Sequence, residues 1–142
     1  NHTETAEKSM LIRSKTGLRV LQNILTEMST HFEGRFIMSA LPFSFWNGIG
    51  AESDDREGMI DNLFLVEGCE IACLMFEKTP GHWKISFRAR GWDVASLAKS
   101  LDPNGGGHQL AAGCTLNGQH KGEEEKIKSA VKSLLDSGKR LL

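Results

Sequence analysis

The stretch CEIACLMFEKTPGHWKISFRAR, residues 69–90, constrains the fold more than any other part of the chain. In CEIACLMFE both alternating sets are apolar, with Cys69, Ile71, Cys73 and Met75 on one side and Ala72, Leu74 and Phe76 on the other. A strand reads this way when its sheet is covered on both faces, so this segment is predicted to be an interior strand. Thr79-Pro80-Gly81-His82 then places proline and glycine where a tight reverse turn wants them, which predicts an antiparallel hairpin. The returning strand, WKISFRAR, alternates cleanly. Trp83, Ile85, Phe87 and Ala89 point one way, and Lys84, Ser86, Arg88 and Arg90 point the other.

The flanking segments supply the cover. Leu18, Leu21, Leu25 and Met28 recur at three- and four-residue intervals and predict an amphipathic helix from about Lys15 to His31. RFIMSALP is short and apolar, ends at Pro42 and suits a strand. The aromatics of PFSFWNGIGA (Phe43, Phe45 and Trp46) read as core packing, and AESDDREGMIDNLFLVEG reads as a capped helix. Asp93 is a helix cap followed by the stripe Val94, Leu97, Ala98 and Leu101, and GCTLNG reads as a short strand. A last helix carries Ile127, Ala130, Val131, Leu134 and Leu135 on one face, with Glu123, Glu124 and Glu125 read as a solvated helix start. The expected architecture is α/β: one domain over residues 1–142, a mixed sheet of about four to five strands with helices packed on it.

The net charge of −1 offers no global attraction for nucleic acid, so a polyanion site has to be local. Cys69, Cys73 and Cys114 are too few for a disulfide framework and not spaced as a zinc knuckle, which predicts buried, reduced thiols. No apolar run approaches the roughly 18 residues that span a bilayer, and a cytoplasmic protein without membrane contact is expected. The chain opens at Asn1 rather than a methionine, compatible with a piece of something longer or with processing.

DPNGGGHQLAAG, residues 102–113, has two physical readings. Gly105, Gly106 and Gly107 can take positive φ and turn successive amides toward one anion, with a helical turn from His108 through Ala111 adding its positive end. The alternative is a flexible link between a helix and a strand. The polar face of the preceding strand bears on the choice. It offers guanidinium groups at Arg88 and Arg90, the Lys84 ammonium and the Ser86 hydroxyl, and an arginine fork matches phosphate oxygens in shape as well as charge.

SFRAR at 86–90 and GGGHQLAAG at 105–113, separated by the helix beginning at Asp93, together resemble the C-terminal DHH-associated domain of the DHH phosphoesterases. That family includes oligoribonucleases, bisphosphate nucleotide phosphatases and exopolyphosphatase-related proteins. The helix with Thr16 and Leu18, the DDREG segment and the apolar strand ending in Glu77 fit the same order, so the resemblance covers essentially the whole chain. It implies an N-terminal DHH domain of the same protein that holds two manganese ions, and a C-terminal domain that grips short RNA or a nucleotide phosphate. It assigns phosphate contacts to Arg88, Gly105, Gly106, Gly107 and His108, with Ser86 in support and Arg90 beside them. Two positions depart from the family pattern: Asn104 stands where a first glycine is common, and Ala89 where serine is common.

This chain has no DHH triplet and no aspartate and histidine set at two-metal spacing, so neither catalytic residues nor metal ligands are assigned to it. Manganese is expected only in the parent enzyme, and the chain alone is expected to be inactive. The expected function is substrate binding for a phosphoesterase that cleaves short oligoribonucleotides or 3′,5′-bisphosphate nucleotides, in a parent that could be a homodimer. The alternatives are a cyclic-dinucleotide phosphodiesterase domain, a tRNA-binding module like that of alanyl-tRNA synthetases, and an interaction domain with a decayed site.

Overall fold

The computed structural model describes residues 13–141. Ser14 opens helix α1 (Lys15–Glu27), its hydroxyl accepting the Gly17 amide at 2.9 Å, and Val20 and Ile24 turn inward one helical turn apart. The helix stops at Glu27 and does not continue to His31. Ser29–His31 instead form strand β1, antiparallel to β2 (Phe36–Leu41). Val20, Ile24 and half-buried Leu21 hold α1 to the core, whereas Leu18, Leu25 and Met28 of the expected stripe lie exposed; past them the polar Ser-Thr-His run gains ladder hydrogen bonds along β2.

The crossover from β2 contains α2 (Phe43–Gly48), a 3-10 turn (Ser53–Arg56) and α3 (Ile60–Phe64), and it leads to β3 (Ile71–Thr79), which runs parallel to β2. The DDREG segment therefore makes two pieces, not one capped helix. The 3-10 turn is closed by a capping box in which the Asp55 carboxylate accepts the Glu52 amide at 2.8 Å, and Gly58, at φ +76°, breaks the chain before α3 begins. Phe45 and Trp46 pack on the rim of the core, half-buried, and the Trp46 indole donates to the Glu77 carbonyl at 2.9 Å.

The hairpin forms as its alternation requires. β3 pairs antiparallel with β4 (His82–Ala89) across Pro80 and Gly81. Asp93 caps α4 (Val94–Leu101) by accepting the Ser96 amide, and β5 (Gly106–His108), β6 (Ala111–Asn117) and α5 (His120–Ser137) complete the chain. The sheet has six strands in the order β1-β2-β3-β4-β6-β5, mixed in direction, so the architecture is α/β as expected. The strands beyond the expected four to five are the two three-residue edges, β1 and β5.

Cover over the sheet is uneven. One face is buried along β2, β3, β4 and β6 by α4 and α5, whose Val94, Leu97, Ala98, Ile127, Val131 and Leu135 meet Met38, Cys73, Met75, Trp83, Ile85 and Phe87. The opposite face is buried only over β2 and β3, where Val20, Ile24, Met59, Ile60 and Leu63 close on Ile37, Leu41, Ala72, Leu74 and Phe76. β2 is accordingly buried at every position, while β4 and β6 alternate buried with exposed or half-exposed residues. Each large side chain taken fully out of water contributes roughly 1.5–3 kcal/mol, so the doubly covered half anchors the fold. The far half of the second face stays open to solvent.

Two buried details refine the sequence reading. Cys69, Cys73 and Cys114 are free, buried thiols. The acidic triplet is not uniformly solvated: Glu123 is 4% exposed, sits in the first turn of α5 and pairs with Lys126 at 3.1 Å, whereas Glu125 lies on the surface and pairs with Lys128. The positive end of the helix offsets part of the cost of burying that carboxylate. No described helix is long and apolar enough to cross a membrane.

Candidate phosphate-binding face

The uncovered half of the sheet carries the candidate residues in cross-strand rows. Arg88 on β4 pairs with Ala111 on β6, which pairs with His108 on β5. Ser86, Gly113 and Gly106 form the next row, and Lys84 pairs with Thr115 beyond it. Directly paired residues of neighbouring strands share a face, so Arg88 and His108 flank Ala111 at about 10 Å, two strand spacings. Between them in that row stands only the methyl of Ala111.

Arg88 is held in place. Its Nη1 donates to the Phe87 carbonyl at 3.1 Å and its Nε lies 3.6 Å from Asp61 Oδ1 on α3, while the side chain stays 34% exposed. Arg90 is committed elsewhere. It lies past the end of β4, donates through Nη1 to the carbonyls of Phe64 at 2.9 Å and Cys69 at 2.8 Å, and rests 3.7 Å over the Phe64 ring. Those contacts tie α3 to the start of β3, so the structure does not bring Arg90 into the row of Arg88 and His108.

The glycine loop is built by Asp102 and by close packing. The Asp102 carboxylate accepts the Asn104 amide through Oδ1 and the Thr115 amide through Oδ2, each at 3.0 Å, which pins the loop to β6. Gly105 is buried: a Cβ there would stand 2.7 Å from the Ala98 carbonyl oxygen and 2.9 Å from Cys114 Cβ. Gly107, at φ +137°, would bring a Cβ within 2.9 Å of the Ala111 carbonyl oxygen. His108 starts no helical turn; it ends β5 as an exposed side chain at the sheet edge. Successive amides of a strand alternate in direction, so the segment presents an edge strand in place of a converging amide cradle. What fixes it is pairing with β6 and the short α4 contact.

Below this row the open face deepens into a cleft of about 570 Å³ lined by Arg56, Lys84, Ser86, Asp102, Asn104 and Thr115, among others. Arg56, from the DDREG segment, was not singled out by its sequence, because one arginine in an acidic helix start reads as surface. Its guanidinium lies 4.5 Å over the Phe76 ring. Cys114 lines the same cleft, but burial, with the Asp102 charge adding to it, pushes its thiol up to about 12, so it supplies no nucleophile near neutral pH. Among the described residues no group of three or more His, Cys, Asp or Glu gathers as a metal ion would need.

The geometry on this face can be set beside known proteins. The DHHA1 domain family matches residues 33–137. The chain belongs to the DHHA1 family. The match spans β2 through α5 and so includes both the SFRAR strand and the GGGHQLAAG segment of this DHHA1 domain. The domain is 32% identical over 124 residues to the bifunctional oligoribonuclease and PAP phosphatase NrnA of Thermus thermophilus, covering 87% of this chain and 36% of that protein. It thus spans about a third of the length of that relative. Among solved structures, an exopolyphosphatase-related protein from Bacteroides fragilis superposes with a TM-score of 0.83 at 21% identity, over 94% of this chain and 39% of the other. The pGpG-specific phosphodiesterase PggH of Vibrio cholerae gives 0.57 at 13% identity, over 83% and 40%. Both likenesses show the fold.

Proposed function

We propose that this DHHA1 domain binds the phosphate of a short oligoribonucleotide or a 3′,5′-bisphosphate nucleotide and presents it to the metal centre of a DHH phosphoesterase domain in the same protein. The observation that carries the reading is the row Arg88, Ala111, His108 on the open half of the sheet, with Arg88 oriented by Asp61 and the Phe87 carbonyl. A guanidinium and an imidazole in one cross-strand row can both donate to phosphate oxygens, and the small Ala111 between them lets a ribose or phosphate approach the backbone. The NrnA relative supports the choice of substrate class, since its name joins oligoribonuclease and PAP phosphatase activity.

Manganese, in this reading, is held by the preceding DHH domain, where it activates water and offsets phosphate charge. The residues of this chain bind and orient. A tRNA-binding module would draw on an extended basic surface, whereas here the net charge is −1.

The test uses the full-length protein. Arg88→Ala and His108→Ala are each expected to lower kcat/KM for a dinucleotide about 10- to 100-fold, the worth of a charge-assisted phosphate contact, with bound metal unchanged. Wild-type kinetics in both variants would overturn the reading. For the isolated chain, a mononucleotide is expected to bind at about millimolar Kd, because one arginine contact and one or two neutral ones barely exceed the cost of association.

A further inference from the structure

The cleft below Ser86 is not used by the phosphate site just described. Arg56 enters it from the 3-10 turn, and its Nε is buried with no hydrogen-bond partner among the described residues. Stacking on Phe76 removes water from one side of the guanidinium and fixes its plane. Lys84, on the facing strand, has no ion-pair partner among the described residues. The single carboxylate of the lining, Asp102, already accepts two backbone amides. Two cations with donor capacity to spare, beside the Thr115 hydroxyl and the Asn104 amide, make a site for an anion.

Distance decides what kind of anion. Lys84 and Arg88 are four residues apart on one strand, about 13 Å between Cα atoms, which is too far for one phosphate to bridge. Between them the floor is made of small residues, Ser86 on β4, Gly113 on β6 and Gly106 on β5, and no Cβ-bearing neighbour lies within 4 Å of a Cβ placed on Gly106. A chain of sugar and phosphate can run along that track. The cleft volume, about 570 Å³, falls in the range that holds a nucleotide-sized ligand.

We propose that the Arg56 and Lys84 cleft is a second phosphate subsite, occupied by a downstream nucleotide of an oligonucleotide whose terminal phosphate sits between Arg88 and His108. The proposal rests on the reading given under the proposed function, and it makes the domain a selector for chains of more than one nucleotide. Such a ligand touches both ends of the track, while a mononucleotide bisphosphate touches the Arg88 end only.

The experiment compares KM for 5′-phosphorylated triadenylate and for adenosine 3′,5′-bisphosphate in the full-length protein carrying Arg56→Ala with Lys84→Ala. The KM for triadenylate is expected to rise about 10- to 100-fold, and at least tenfold more than the KM for the mononucleotide. Arg56→Lys is expected to restore part of the ratio, because it keeps the charge. An equal loss on both substrates would overturn the proposal and mark the cleft as a seat for the neighbouring domain. Arg88→Ala raises both KM values together if the first site is correct, so failure of that reading is seen separately. As a check that needs no variant, triadenylate should shift the Thr115 and Asn117 amide resonances of the 142-residue chain, and the mononucleotide should not. Equal shifts from both ligands, or none from either, would count against the subsite.

Discussion

Replacing Gly105 by alanine sets two physical effects against each other. The backbone of Gly105 lies outside the left-handed region, so alanine is allowed there, and the loss of unfolded-state freedom alone would stabilise the fold by about 0.4–1 kcal/mol. The added methyl, however, has nowhere to go. Its carbon would stand 2.7 Å from the Ala98 oxygen, 3.0 Å from the Ala98 carbonyl carbon and 2.9 Å from Cys114 Cβ. Ordinary contacts begin near 3.4 Å, so the loop must retreat by half an ångström or more from atoms that are backbone, or one bond from it. Overpacking of this kind costs about 1–3 kcal/mol. Net destabilisation of about 1–2 kcal/mol is therefore expected, and with a urea m-value of about 2 kcal/mol/M the midpoint should fall by roughly 0.5–1 M. The same retreat lifts β5 from its register with β6, so mononucleotide affinity should weaken along with stability. A midpoint equal to or above that of the unmodified chain would refute the packing argument and leave only the entropic effect.

Three further outcomes follow from the same contacts. The Glu70 carboxyl is held below its ordinary range first by the Arg35 hydrogen bond, with Trp92 and Arg140 adding to it against the opposing effect of burial. A carboxyl depressed in the folded state contributes stability that is full above its unfolded pKa of about 4.3 and lost as pH falls through the folded value. Urea midpoints should therefore drop below about pH 4.5, and Glu70→Gln should flatten that drop. All three cysteines should resist a thiol reagent at pH 8 until urea unfolds the chain, since burial raises Cys69, Cys73 and Cys114 alike; fast labelling of the folded protein would contradict their burial. Asp102→Ala removes the acceptor for the Asn104 and Thr115 amides, and hydrogen exchange at those two amides should speed up while exchange in β3 and β4 stays slow. Unchanged exchange at both would show that packing alone holds the loop.

Much of the architecture was legible because it follows local period. The apolar run from Ile71 to Phe76 needed cover on both faces and received it, and the Trp83, Ile85, Phe87, Ala89 set lies on the buried face of β4. The Asp93 cap was readable for the same reason, since a side chain and an amide three residues on satisfy each other locally. Edge strands were not readable. Ser29–His31 and Gly106–His108 are three residues each and are strands only because β2 and β6 lie beside them. The burial of Glu123 and the commitment of Arg90 to the Phe64 and Cys69 carbonyls likewise depend on what a distant segment places against them.

The candidate site divides along the same line. Sequence by itself determined the parts: a strand with Ser86 and Arg88 on its polar side, three consecutive glycines, and a histidine after them. Tertiary structure alone decided how those parts combine. The α1 to α3 layer ends over β3, leaving the polar side of β4 open, and the antiparallel return of β6 and β5 brings His108 into the row of Arg88. It also swings Arg56, some thirty residues earlier in the chain, onto Phe76 and into the cleft beside Lys84. Periodicity is set by neighbours a few bonds away, whereas the limits of a covering layer and the partners of an edge strand are set by contacts between segments far apart in the chain.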